Sequence, residues 1–292
     1  MATEKPANCD ERFGNIPADD FCGKPLLNLK DFLQISQIVY KHCGIRLNSG
    51  KEQLVRSRLT KRLRDLGVGS FDEYLKYVKA DKTAQELDAM IDCLTTNKTS
   101  FFREEHHFNF LRSQILPRLK RRGSGLRIWS AGCSSGEEPY SIAMLLSEEF
   151  PGFDTMDLKI LATDISSRVL AKARCGEYER ESARDVPSLF LAKYFSLIQT
   201  NFSAIYRIND TPRKIVRFAR LNLMDVWPMK GPFDVIFCRN VMIYFDTSAQ
   251  RNLVQKFYEL LNPGGYLLVG HSESLLESSG EFKYVQPATY IK

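Results

Sequence analysis

The sequence predicts an α/β protein: a doubly wound, mostly parallel sheet carrying a small inserted antiparallel β subdomain, preceded by an all-helical N-terminal domain. Three observations predict it. Residues 28–94 keep a helical apolar period throughout, strand and helix patterns alternate after Gly125, and that alternation lapses into short polar segments between Cys175 and Lys214.

Each element follows in chain order. Residues 1–27 are polar, contain Pro6, Pro17 and Pro25, and read as a flexible tail. Residues 28–94 read as four amphipathic helices, Asp31–His42, Gly50–Leu66, Phe71–Lys79 and Ala84–Leu94, broken by glycines or polar turns. Ser70 followed by Glu73 is a capping box for the third. Residues 95–292 form the second domain. Its strands are Leu126–Ala131, Leu158–Thr163, Ile215–Leu221, Phe233–Cys238 and Tyr266–Val269. Its helices are Pro139–Phe150, with a proline near the first helical position, Ser166–Ala173 and Ser248–Leu261. The insertion, about 175–214, supplies two hairpin strands, Tyr194–Ile198 and Ala204–Ile208.

Composition excludes several classes. No run approaches the roughly 18 apolar residues of a membrane span, and the first residues lack the apolar core of a signal peptide. Seven cysteines, at 9, 22, 43, 93, 133, 175 and 238, never form Cys-x-x-Cys, so a reducing cytoplasm is expected rather than a disulfide framework or zinc site. Cys133 and Cys238 read as small apolar filler near strand ends. Histidines at 42, 106, 107 and 271 give little material for a hydrolytic triad, and no metal is expected. The net charge of +6 is uneven: residues 51, 56, 58, 61, 62 and 64 are basic against the single acid Glu52. Val55, Leu59, Leu63 and Leu66 give that helix an apolar stripe, so its basic face is either solvated surface or a dock for something acidic.

Ligands of a doubly wound sheet bind beyond the carboxyl ends of its strands. This chain places there the turn Gly132–Gly136, Glu137, Asp164, Asn222 and the run Cys238-Arg239-Asn240. A helix N-terminus favours anions. Glu137 and Glu138 at that place suit a cofactor with hydroxyls and positive charge, such as the sulfonium S-adenosylmethionine, better than a pyrophosphate. Asp164 ends a strand about 30 residues after the turn, where a carboxylate can accept from ribose hydroxyls; the alternative is a helix N-cap, for which Ser166 competes. Asn222 can offer an amide to an adenine edge or serve a turn. Asn97, Thr99 and Arg103, in the segment 94–104, form either one wall of the site or a capped helix start with core phenylalanines.

Five segments in order, Leu94–Glu104 (Leu-Thr-Thr-Asn-Lys-Thr-Ser-Phe-Phe-Arg-Glu), Ser134–Ala143 (Ser-Ser-Gly-Glu-Glu-Pro-Tyr-Ser-Ile-Ala), Ala162–Ile165, Phe237–Phe245 (Phe-Cys-Arg-Asn-Val-Met-Ile-Tyr-Phe) and Gly270–Glu273, resemble the chemotaxis receptor methyltransferases, the CheR family. The resemblance runs from about residue 28 to the end. It implies a class I methyltransferase domain that transfers the methyl of S-adenosylmethionine to receptor glutamates, giving methyl esters and S-adenosylhomocysteine, for sensory adaptation. By position it puts cofactor contacts on Asn97, Thr99, Arg103, Glu137, Asp164, Asn222, Leu223, Arg239 and Asn240, and sets Arg103 and Tyr244 beside the reacting groups. On this reading Arg56, Arg58 and Arg62 of the basic helix dock the cytoplasmic domain of a methyl-accepting receptor. The enzyme is then a cytoplasmic monomer recruited to membrane receptor arrays, without membrane insertion or nucleic-acid binding. One departure stands out: methyltransferases generally carry an acid two residues before the first glycine and a glycine two after it, where this chain has Ser130 and Ser134. The competing readings are a nucleic-acid methyltransferase, which lacks its Asn/Asp-Pro-Pro-Tyr segment, and a non-catalytic cofactor binder.

Overall fold

A computed structural model describes residues 25–122, 125–150, 152, 156–199, 204–275 and 281–292. The expected tail therefore lies almost wholly outside the described residues. Four helices come first: α1 (Leu29–Cys43), α2 (Glu52–Asp65), α3 (Phe71–Ala80) and α4 (Gln85–Leu94). Their apolar stripes close on one core that includes Phe32, Ile35, Val55, Leu59, Leu63, Tyr74 and Ile91. Caps set their starts. Asn28 accepts from Asp31 N, and Ser70 accepts from Glu73 N while the Glu73 carboxylate reaches Gly69 N, one residue before the partner a strict capping box would use.

Two helical pieces, α5 (Glu105–Phe110) and α6 (Leu116–Arg122), joined by a π-helical stretch, then lead to the sheet. The strands are β1 (Leu126–Ala131), β2 (Leu158–Asp164), β3 (Glu177–Glu179), β4 (Phe195–Gln199), β5 (Ala204–Ile208), β6 (Val216–Arg220), β7 (Phe233–Cys238), β8 (Leu261–Val269), β9 (Lys283–Gln286) and β10 (Thr289–Ile291). The large sheet has the order β6-β2-β1-β7-β8-β10-β9; its first five strands are parallel, and β10 and β9 add antiparallel at one edge. That terminal hairpin and the α5–α6 region escaped the sequence reading, because neither shows a clean period. The insertion is a three-stranded antiparallel sheet, β3-β5-β4.

Along β1 successive side chains face opposite layers: Ile128 joins the core that includes α7 (Glu137–Glu149), and Trp129 joins the core under the helix Thr247–Leu260. β1 lies between β2 and β7, so the chain winds away from it in both directions. A crevice must open at its carboxyl end, between Gly132 and Arg239. No helix of the described residues is long and apolar enough to cross a membrane.

Candidate active site

The turn after β1 is the floor of that crevice. Gly132 has φ 83°, and a Cβ there would stand 2.4 Å from Val241 Cγ2, so glycine is what lets the β1 and β7 loops meet. Ser134 takes the left-handed conformation (φ 49°) that glycine would adopt more cheaply. Its N–H donates to Asp164 Oδ2 at 2.8 Å, and its hydroxyl donates to Asn97 O at 2.8 Å. One serine thus joins the turn, the end of β2 and the Asn97 segment. Ser166, not Asp164, caps the next helix, α8 (Ser167–Cys175), by accepting from Val169 N. Asp164 stays on the cleft, buried, with its carboxyl raised above the ordinary range by loss of solvent.

The two acids at the start of α7 divide their roles differently from the sequence reading. Glu137 turns away from the cleft and accepts from Ser135 Oγ at 2.7 Å; Glu138 is the one that lines it. Glu138 accepts from Ser130 Oγ at 2.7 Å and from Arg239 Nη1 at 2.9 Å. Beside Ser130 the helix supplies a carboxylate, Glu138, which the Ser130 hydroxyl holds. Burial raises the Glu138 carboxyl, and Arg239 opposes that.

Arg239 is the hub of the sheet side. Its guanidinium is buried and contacts Glu138, Glu104 Oε2 at 3.3 Å, and the carbonyl of Arg103. Arg103 itself sits between two non-glycine residues in left-handed conformation, Phe102 (φ 52°) and Glu104 (φ 56°). Such backbone costs on the order of 1–3 kcal/mol per residue and persists only where surroundings enforce it. Here Phe102 stacks on Phe190 of the insertion and its N–H donates to Ser141 Oγ at 3.0 Å. The Arg103 guanidinium, held by Lys98 O at 2.9 Å, lines the cleft with Tyr244 from the turn Met242–Tyr244.

Asn97, Thr99, Arg103, Asp164, Asn222, Leu223, Arg239, Asn240 and Tyr244 therefore meet in one cleft, and Glu137 does not. Asn222 serves a turn: both amide hydrogens are taken, by His42 O and Asp225 Oδ1, and its Oδ1 accepts from Met224 N. Its main chain and remaining lone pair are what it can offer a ligand. Sequence reasoning missed the opposite wall, where Cys43, Ile45, Arg46, Leu47, Lys51 and Leu54 of the helical domain face the cleft. No local pattern marks that loop.

The basic helix α2 is more structural than its charge suggested. Arg62 binds the buried Glu86, which also accepts from Tyr74 at 2.7 Å. Arg58 donates to the carbonyls of Leu94 and Thr95 and to Thr96 Oγ1, bracing the cleft wall, and Arg56 donates to Pro25 O. All three are half-buried, whereas Lys51, Lys61 and Arg64 are exposed. Cys133 and Cys238 are buried with thiols pushed well above the ordinary range, which suits filler rather than nucleophiles. Glu104, His106 and His107 bring ligand atoms within 4.8 Å of one another. Arg239 Nη2 stands 3.3 Å from that carboxylate.

The cleft fits a sulfonium nucleoside: an acid at the helix start, a carboxylate at the end of β2, and a glycine turn that keeps the loops after β1 and β7 together. Comparison with known proteins agrees. Residues 97–291 match the family model "CheR methyltransferase, SAM binding domain", and residues 30–95 match "CheR methyltransferase, all-alpha domain". A probable chemotaxis protein methyltransferase of Rhizobium etli is 44% identical over 85% of this chain and 92% of its own length. The chemotaxis protein methyltransferase of Borreliella burgdorferi is 42% identical over 89% and 93%, and that of Escherichia coli 42% over 83% and 84%.

Proposed function

The chain belongs to the CheR methyltransferase family and uses S-adenosylmethionine, and from that premise we propose that it methylates glutamate side chains of chemotaxis receptors. The observation that carries this is the presence of Arg103 and Tyr244 in one cleft with no histidine among its described lining residues. A glutamate has an unperturbed pKa of about 4.3, so it arrives at pH 7 as the anion and needs no general base. The cofactor supplies an electrophilic methyl group, and a carboxylate oxygen can take it without any proton leaving.

What the protein must do is hold, orient and exclude water. Glu138 would hold the cationic methionine end of the cofactor and Asp164 its ribose hydroxyls, with the Asn97–Thr99 segment as a further wall. Arg103 receives the acceptor carboxylate through charge-assisted hydrogen bonds, and Tyr244 completes that pocket. A guanidinium that gripped too tightly would stabilise the ground state and slow attack. Its one described side-chain bond, to a backbone carbonyl, leaves it donors for a moderate grip. The exposed cations of α2 and its flank, Lys51, Lys61 and Arg64, face the acidic receptor helix, while Arg58 and Arg62 hold α2 to α4 and the segment after it. The enzyme acts as a monomer at the cytoplasmic side of receptor arrays.

The test is incubation with methyl-labelled cofactor and receptor-bearing membranes, followed by mild base. Volatile labelled methanol is the expected result, since an ester hydrolyses. A base-stable label would transfer the enzyme to N-methylation, and no label at all would make it a binder.

A further inference from the structure

The segment Gly270–Glu273 lies behind the cleft and takes no part in the function above. We propose that Glu273 is a positioning residue, whose buried carboxylate sets the backbone of the turn that presents Asn240 and Tyr244 to the cleft.

Glu273 Oε2 accepts from Asn240 N at 2.8 Å and from Gly270 N at 2.5 Å, and Oε1 accepts from Ile243 N at 3.1 Å. Among the described residues no lysine or arginine pairs with it, so these three peptide dipoles stabilise its charge. Hydrogen bonds to a carboxylate are roughly twice as strong as neutral ones, and here they converge on one turn. That turn needs holding. Asn240 is a non-glycine residue at φ 59°, and its side chain reaches Glu104 Oε1 at 3.3 Å. One carboxylate thus holds the Asn240 side chain and a second holds its backbone. Three residues later the second, through Ile243 N, fixes the turn that ends at Tyr244. Gly270 makes the approach possible: a Cβ there would lie 2.5 Å from Asn240 Nδ2 and 2.7 Å from Glu273 Oε2.

The role assigned to Tyr244 rests on the function proposed above; the effect on the cofactor side does not. Three variants, Glu273→Ala, Glu273→Gln and Gly270→Ala, are to be compared by calorimetric binding of S-adenosylhomocysteine without any acceptor. Turnover at saturating cofactor and the melting temperature are measured in parallel. Glu273→Ala and Gly270→Ala are expected to weaken S-adenosylhomocysteine at least tenfold and to lower kcat at least tenfold. Glu273→Gln, which keeps one acceptor oxygen, falls between them and wild type. In a Tyr244→Phe background Glu273→Ala should cost kcat less than it does in wild type. If Glu273→Ala does not fold, the glutamine and Gly270 variants decide. Folded variants whose affinity and kcat stay within twofold of wild type would overturn the assignment, whatever the acceptor proves to be.

Discussion

On the sheet side of the cleft a buried guanidinium, Arg239, contacts Glu138, Glu104 and the Arg103 carbonyl, with left-handed residues on either side of Arg103. On the helical side Arg46 and Lys51 are exposed. Among the described residues the helical unit meets the sheet side through bonds that include Arg46 N to Tyr244 O at 2.9 Å, Asn222 Nδ2 to His42 O at 2.6 Å, Tyr40 to Asp246 at 2.6 Å, Arg168 to Asp92 O at 3.3 Å and Arg220 to Asp88, and Ile165 packs on its core. The contrast teaches where preorganisation resides. Buried, mutually paired charges fix the cofactor side before any ligand arrives. The helical wall carries its charges exposed, without the buried pairing that holds Arg239.

The largest break in that contrast comes from Arg239→Met. It strands the Glu138 and Glu104 carboxylates, and removing one partner of a buried ion pair costs about 3–5 kcal/mol. Urea unfolding should show that loss, whereas an equal change at exposed Arg64 should move stability by less than about 0.5 kcal/mol.

Arg103→Ala comes next. Its guanidinium lines the cleft while its backbone is held independently, so turnover should fall about 10²–10³-fold, far more than cofactor affinity. Turnover close to wild type would remove the arginine from the chemistry.

His107 sharpens the picture through pH. It is wholly buried, and its pKa falls to about 3, chiefly by desolvation and then by Arg239. The folded state holds it neutral while the unfolded chain protonates near 6.5, so its contribution is full above pH 6.5 and is lost as pH falls. Between pH 8 and 5 that amounts to about 2 kcal/mol. Glu137, Glu138 and Asp164, raised by burial, tilt stability the other way. The measurement is therefore the difference in pH slope between wild type and His107→Gln, which should carry the histidine's share alone.

The smallest effect belongs to the docking face. Lys61→Glu with Arg64→Glu should raise the receptor KM several-fold at an unchanged melting temperature. Arg62→Glu should instead lower the melting temperature, because it meets Glu86. Equal KM values for the double variant and wild type would move docking off α2.

Much of this was readable from the chain alone. Alternating strands and helices, the glycine turn, Asp164 and the Asn97–Arg103 segment are local patterns, and local patterns survive in sequence because period and turn chemistry act over a few residues; Tyr244 came only from the family resemblance. What lay beyond reach is non-local. Adjacent residues at a helix start point about 100° apart, and only the arrival of Arg239, a hundred residues later, selects Glu138 over Glu137 for the cleft. Only the packing of α4 decides that Arg58 and Arg62 turn inward while Lys61 and Arg64 stay free. The loop between α1 and α2 becomes a cleft wall only because two separately cored units meet there. Residue types and their spacing determined the chemistry available; the tertiary structure decided which of two like charges performs it, since burial and partner distance set the strength of a charge.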